Sequence, residues 1–124
     1  MAVVPAPSGA THEVGAARFT SLATPSRGST ETSVWSVEIA PGPPGVRHRL
    51  TREEVFVVLD GHAEVVLDGE RSQAAAGDAI VVPPGVPFAL AAAGDEPLRA
   101  LCCLPVGGQG QIEDGEPFTP PWAR

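Results

Sequence analysis

Fourteen glycines and fourteen prolines are spread along 124 residues, and they cut the chain into apolar pieces too short for helices. The breaks fall at PSRG, PGPPG, LDG, LDGE, AAGD, PPGVP and AAAGDEP. Between them lie ETSVWSVEIA, EVFVVLD, HAEVVLD, DAIVVPP, PFALAAA and PLRALCCLPV, each four to ten residues long and rich in β-branched, aromatic or leucine side chains. Glycine and proline punctuate, and short runs of this composition read as strands. No stretch sustains helical periodicity, since the alanine runs near 74–77 and 89–94 are short and end at glycine. Two Asp-Gly pairs, Asp60-Gly61 and Asp68-Gly69, stand eight residues apart. Asp-Gly favours primed two-residue turns, so HAEVVL is expected to cross between two tight hairpins in an antiparallel meander. The fold class is all-β, a sandwich or barrel.

Length and charge then exclude several classes. A chain of 12.7 kDa forms one domain with a real core. The net charge is -7 and all eight basic side chains are arginines scattered along the chain, so no concentrated basic face for nucleic acid is expected. No apolar run approaches bilayer-spanning length, and MAVVPAPSGA lacks the basic and apolar regions of a secretory signal. A soluble cytoplasmic protein without a membrane partner is the expectation. Cys102 and Cys103 are adjacent, and neighbouring strand residues point to opposite faces, so they are not expected to bridge. The flanking LRALCCLPV is apolar on both faces, which leaves open which cysteine points inward. Residues 1–16 read as an N-terminal arm, 17–105 as the single domain, and 106–124 as a Pro/Gly-rich tail. Phe118 and Trp122 in that tail are expected to dock on the barrel or on a second subunit.

The stretch GPPGVRHRLTREEVFVVLDG, residues 42–61, sets one histidine, three arginines and two adjacent glutamates before an apolar strand. Its Gly42, His48, Glu54 and Gly61 follow the spacing glycine, five residues, His-x-His, three or four residues, glutamate, six residues, glycine. In GDAIVVPPGVPF, Gly77, Asp78, Pro83 and Gly85 follow a second spacing: glycine, five residues, proline, one residue, glycine, two residues, histidine. With both motifs in order, residues 31–104 resemble the cupin superfamily. The resemblance implies an antiparallel cupin barrel of jelly-roll type, a double-stranded β-helix, and a homodimer. It also implies a divalent metal such as iron, manganese, nickel or zinc, held by two motif-one histidines, the glutamate and the motif-two histidine. Carried over residue by residue, only His48 and Glu54 remain, because Leu50 and Phe88 occupy the other two positions.

Leucine and phenylalanine offer no lone pairs, and a catalytic transition-metal site normally uses three protein ligands. His12 lies in the arm and His62 follows a turn glycine, so neither is expected to replace the lost donors. The expectation is therefore no cofactor; iron, zinc or manganese held by His48, Glu54 and a displaced donor is the alternative. By strand alternation Glu54 shares a face with Phe56 and Val58, and Leu50 and Phe88 face the same lumen. An apolar cavity with a few convergent polar groups describes a site for a small organic molecule. Trp35 (platform or core residue), Leu90 and Arg47, whose planar fork suits an anion, complete the expected substrate-contacting set. Glu53, Arg47, Arg49 and Arg52 read first as solvated rim charges, and Asp60 and Asp68 as turn residues. Burial raises a glutamate's pKa and lowers a histidine's, which suits proton transfer near neutrality. His48 and Glu54 are thus the expected catalytic pair of a metal-independent isomerisation, cyclisation, dehydration or epimerisation. A metal-dependent oxygenase or isomerase, and a binding or sensing cupin in which the two residues are only a hydrogen-bonded remnant, are the alternatives.

Overall fold

The computed structural model describes residues 2–124; Met1, the first residue of the arm, lies outside them. Eleven strands follow in order: β1 (His12–Val14), β2 (Ala17–Ala23), β3 (Thr32–Ile39), β4 (Arg49–Leu50), β5 (Glu54–Asp60), β6 (His62–Leu67), β7 (Glu70–Ala75), β8 (Ala79–Val82), β9 (Phe88–Ala92), β10 (Leu98–Pro105) and β11 (Gly110–Gln111). Six of them make one sheet in the order β1-β2-β3-β10-β5-β8, three make a second in the order β7-β6-β9, and β4 pairs with β11. Every strand pair is antiparallel. The expected antiparallel all-β barrel is the observed architecture. The structured part begins earlier than the arm boundary suggested, because β1 pairs with β2.

Only one of the two Asp-Gly turns is a hairpin. At Asp68-Gly69 both residues have positive φ, 51° and 82°, and β6 returns directly along β7. At Asp60-Gly61 the chain leaves the large sheet and enters the small one, so β5 and β6 do not pair and the expected meander is broken there. Gly61, at φ 78°, passes under the Pro97 carbonyl, which a Cβ at this position would strike. Glycine is required at that corner by both the backbone conformation and the close approach.

Alternation along the strands builds the core. In β3, Ser33, Trp35 and Val37 point inward; in β5, Glu54, Phe56 and Val58; in β10, Leu98, Ala100, Cys102 and Leu104. The register sets Cys102 between Trp35 on one side and Phe56 on the other, so Cys102 is the inward cysteine and Cys103 the outward one. From the small sheet Val65 and Phe88 close the core, with Phe88 edge-on to Phe56 at a ring separation of 6.0 Å.

The C-terminal segment packs on its own barrel. Gly110 and Phe118 exchange two backbone hydrogen bonds of 2.8 Å, and β11 lies along β4. The 3-10 turn Pro121–Ala123 then docks at β2 and β3, where the Ser21 hydroxyl donates to the Trp122 carbonyl at 2.7 Å and Ser33 to that of Ala123 at 3.2 Å. The Trp122 ring stacks on Phe19 with centroids 3.6 Å apart and planes within 4°. Among the described residues no helix is long and apolar enough to cross a membrane.

Because the Trp122–Phe19 stack is half-buried, Trp122→Ala is expected to cost about 2 kcal/mol, below the range for fully buried aromatics. Urea denaturation, with the slope unchanged, is the measurement.

Candidate functional site

His48 is positioned by backbone pairing. The loop from Pro41 runs along β9, and His48 and Phe88 exchange backbone hydrogen bonds of 3.0 and 2.9 Å, so motif one is fastened to motif two. The half-buried imidazole tilts over the Phe88 ring, with centroids 4.3 Å apart. Its Nδ1 lies 2.8 Å from the Val46 carbonyl oxygen. A carbonyl only accepts, so Nδ1 carries the proton and Nε2 keeps its lone pair. Burial lowers the imidazole's pKa below its usual range, partly offset by the hydrogen bond to Val46.

Glu54 opens β5, opposite Val82 of β8, with its side chain turned into the barrel. It is only 4% exposed, and among the described residues it has no hydrogen-bond or ion-pair partner. Desolvation pushes its pKa up to about 8. Burial first, and then the proximity of the Glu54 carboxyl, raise the thiol pKa of Cys102 and of Cys103. His48 and Glu54 do not bond to each other, so each keeps its reactive atoms free.

The remaining expected site residues divide in two. Trp35, Leu50, Phe56, Val58 and Phe88 are between 1% and 6% exposed and fill the lumen with one another. The anticipated open apolar cavity is therefore a packed core, because the two phenylalanines and Trp35 occupy the volume that smaller side chains would leave. Leu90, opposite Val65, is half-buried against that core, and Arg47 is exposed. Arg47, His48, Arg49, Pro87 and Glu113 line a small cavity at the mouth of about 20 Å³, room for one water. Glu113 was not legible in the sequence: it stands in the tail, and only the β4–β11 pairing carries it to His48. Its φ of 50° is uncommon for a non-glycine residue.

The donor set does not fit the metal of the superfamily. Among the described residues no three His, Cys, Asp or Glu side chains come close enough to hold a metal ion. His12 is in β1, beside Trp122 at 6.5 Å, and His62 is exposed at the start of β6. Leu50 and Phe88 fill their two positions with hydrocarbon.

The family model described as "Cupin domain" (Cupin_2) matches residues 35–104, more than half of the chain. This protein is a cupin. An uncharacterized protein of Methanocaldococcus jannaschii is 38% identical over 53 residues, which cover 43% of this cupin and 42% of that relative. Among solved structures, salicylate 1,2-dioxygenase of Pseudoaminobacter salicylatoxidans superposes with a TM-score of 0.68 at 20% identity, over 81% of this chain and 30% of that one. The polyketide cyclase RemF of Streptomyces resistomycificus superposes with a TM-score of 0.67 at 22% identity, over 83% and 71%. The cupin thus spans less than half the length of the dioxygenase and of the archaeal relative, and at these identities the structural likenesses concern the fold.

The raised pKa of Glu54 has a signed consequence for stability. The native state holds this proton from the usual 4.5 up to about 8, whereas the unfolded chain has released it. The stabilising contribution is therefore complete below 4.5 and declines as pH rises toward 8, by up to about 4 kcal/mol for a shift of this size. His48, lowered, acts oppositely as pH falls below its usual value of 6.5. Glu54→Gln removes the first term alone, so the difference in unfolding free energy between this variant and the wild type is expected to grow in the variant's favour from pH 5 to pH 8.

Proposed function

We propose that this cupin binds a small anionic organic metabolite at the barrel mouth and performs metal-independent acid–base chemistry on it: an isomerisation, cyclisation, dehydration or epimerisation. The observation that supports this most is the Glu54 side chain, 4% exposed, with no hydrogen-bond or ion-pair partner among the described residues and with its proton held up to about pH 8 by desolvation. Acids with pKa values raised in this way concentrate at functional sites. Environments that push an acid up and a base down assign their roles at neutral pH. Glu54 is then the protonated acid, and His48, with its free Nε2, is the base.

The chemistry balances without a further reagent. His48 Nε2 takes a proton from a carbon next to a carbonyl, and Glu54 delivers one to the oxygen, to another carbon, or to a departing hydroxide that leaves as water. Proton exchange with solvent at the mouth resets both groups. Arg47, Arg49 and Arg52 supply the attraction for an anion: among the described residues none of them is in an ion pair, whereas Arg18, Arg71 and Arg99 each are. In a chain of net charge -7 such a cluster marks where an anion is tolerated. The cyclase among the fold neighbours is compatible with this reaction set. The packed lumen favours a second reading, a binding cupin without turnover whose ligand rests on Arg47 and His48 at the rim.

A panel of aliphatic and aromatic hydroxy- and keto-carboxylic acids, incubated in heavy water and followed by mass spectrometry, tests the proposal. Wild-type protein is expected to convert or deuterate one class, and Glu54→Gln to lose at least about 10²-fold in kcat while ligand affinity stays within a few-fold. Thermal stabilisation by a ligand with no turnover favours the binding reading, and unchanged turnover in both Glu54→Gln and His48→Ala overturns the acid–base roles. Metal independence is tested separately. Wild-type protein titrated with zinc is expected to retain none after dialysis, whereas Leu50→His combined with Phe88→His is expected to retain close to one equivalent.

A further inference from the structure

A row of charges crosses the large sheet on the side away from the barrel lumen. The register sets Glu13 beside Arg18, Arg18 beside Glu38, Glu38 beside Arg99, and Arg99 beside Asp60, so negative and positive side chains alternate across β1, β2, β3, β10 and β5. Three carboxylates share two guanidiniums, and the outer two take them. Arg18 Nε lies 3.2 Å from Glu13, and Arg99 donates to Asp60 at 2.7 Å. Glu38, half-buried between two arginines, has no ion pair or side-chain hydrogen bond among the described residues.

A cavity of about 200 Å³ lies at this carboxylate, ten times the volume of the one at the barrel mouth. Arg18, Glu38 and Arg99 line it together with Thr20 and Ser36, which face each other in the adjoining row of β2 and β3. Among the described residues neither of these hydroxyls has a hydrogen-bond partner. Ala10 of the N-terminal arm closes one side. The charged row meets β5 at Asp60, six residues from Glu54 and therefore on the order of 20 Å away along the strand. A molecule held here touches neither His48 nor Glu54.

Charge selects what fits. A simple anion meets Glu38, and a simple cation meets two guanidiniums. Each arginine uses one nitrogen on its outer carboxylate and keeps the other N–H groups of its planar fork. A free acceptor and free donors thus stand one strand apart, about 5 Å. A molecule with an ammonium and a carboxylate on the same carbon presents the opposite charges at a matching separation, and the Thr20 and Ser36 hydroxyls can serve its remaining polar atoms. A neutral polyol leaves the Glu38 charge without a counterpart. The cavity is smaller than the roughly 300–1,000 Å³ of sites for drug-sized ligands, which limits the occupant to a small side chain.

We propose that this cavity is a binding site, separate from the barrel mouth, for a small α-amino acid in its zwitterionic form, with the ammonium on Glu38 and the carboxylate on the flanking guanidiniums.

Titration calorimetry with L-alanine, L-serine and L-threonine, beside propionate, ethylamine and glycerol, tests it. At least one amino acid is expected to bind with a Kd below about 10 mM, and the three control molecules at least about tenfold more weakly. Glu38→Gln is expected to weaken amino-acid binding about tenfold or more with unchanged circular dichroism. If that variant does not fold, Arg99→Gln, at a side chain 50% exposed, decides in the same way. His48→Ala is expected to bind the amino acid as the wild type does. The proposal is overturned if no amino acid binds in that range, if any control molecule binds as well, or if the folded Glu38→Gln variant keeps full affinity. Affinity lost in His48→Ala moves the ligand to the barrel mouth and overturns it too.

Discussion

The structure depends on the double pairing of β10. This strand bonds to β3 on one side and β5 on the other, and thereby joins the two parts of the large sheet. Its inward residues, Leu98, Ala100, Cys102 and Leu104, are at most 1% exposed. Of these, Cys102, opposite Phe56, lies close enough to Glu54 to feel its charge, while Leu101 and Cys103 make the other face apolar. One strand sets both the electrostatics of the site and the character of the outer surface. LRALCCLPV reads as a continuous hydrophobic run, although only its alternate residues Leu98, Ala100, Cys102 and Leu104 are buried.

The proposed site rests on two groups that do not bond to each other. A salt bridge between His48 and Glu54 would lower the carboxyl's pKa and raise the imidazole's, leaving both charged near neutrality and exchanging the acid and base roles. The structure holds them apart, each neutral by desolvation, with the histidine's tautomer set by the Val46 carbonyl. Loss of the superfamily's other two donors has the same direction. A cation between His48 and Glu54 would require the carboxylate to be ionised, whereas Leu50 and Phe88 replace donors with hydrocarbon and favour the protonated acid.

Much of this was legible in the sequence, for reasons tied to particular residues. Motif spacing located Leu50 and Phe88 at the inner positions, and alternation in EVFVVLD put Glu54, Phe56 and Val58 on one face, where they are found. The orientation of Cys102 was not legible, since both faces of its strand are apolar. The role of Asp60-Gly61 was not legible either: the same dipeptide serves a hairpin and a corner between sheets, and the Pro97 backbone that requires glycine here is distant in sequence. The packed lumen escaped because side-chain alternation tells which residues face inward but not whether their volumes fill the space.

A filled lumen places a condition on any ligand that reaches Glu54. Phe88 and Leu50, 1% and 4% exposed, must move, or the segments over the mouth must open. Those segments are held by short pairings: β4 and β11 pair over two residues each, the Gly110–Phe118 bridge adds two bonds, Thr51 and Gln109 exchange two more, and the Gly85 N–H donates to the Leu50 carbonyl. Local openings of this kind cost less than global unfolding. Opening also wets Glu54, and hydration favours its ionised form. The closed state therefore binds the Glu54 proton more tightly than the open state, so rising pH shifts the balance toward opening. On the proposed reading, an anion would gain from the reverse order, entering past the arginines and expelling water while the carboxyl is still protonated. Closure over such an anion would keep the acid loaded, because a second negative charge beside the ligand in the same hydrocarbon is strongly disfavoured.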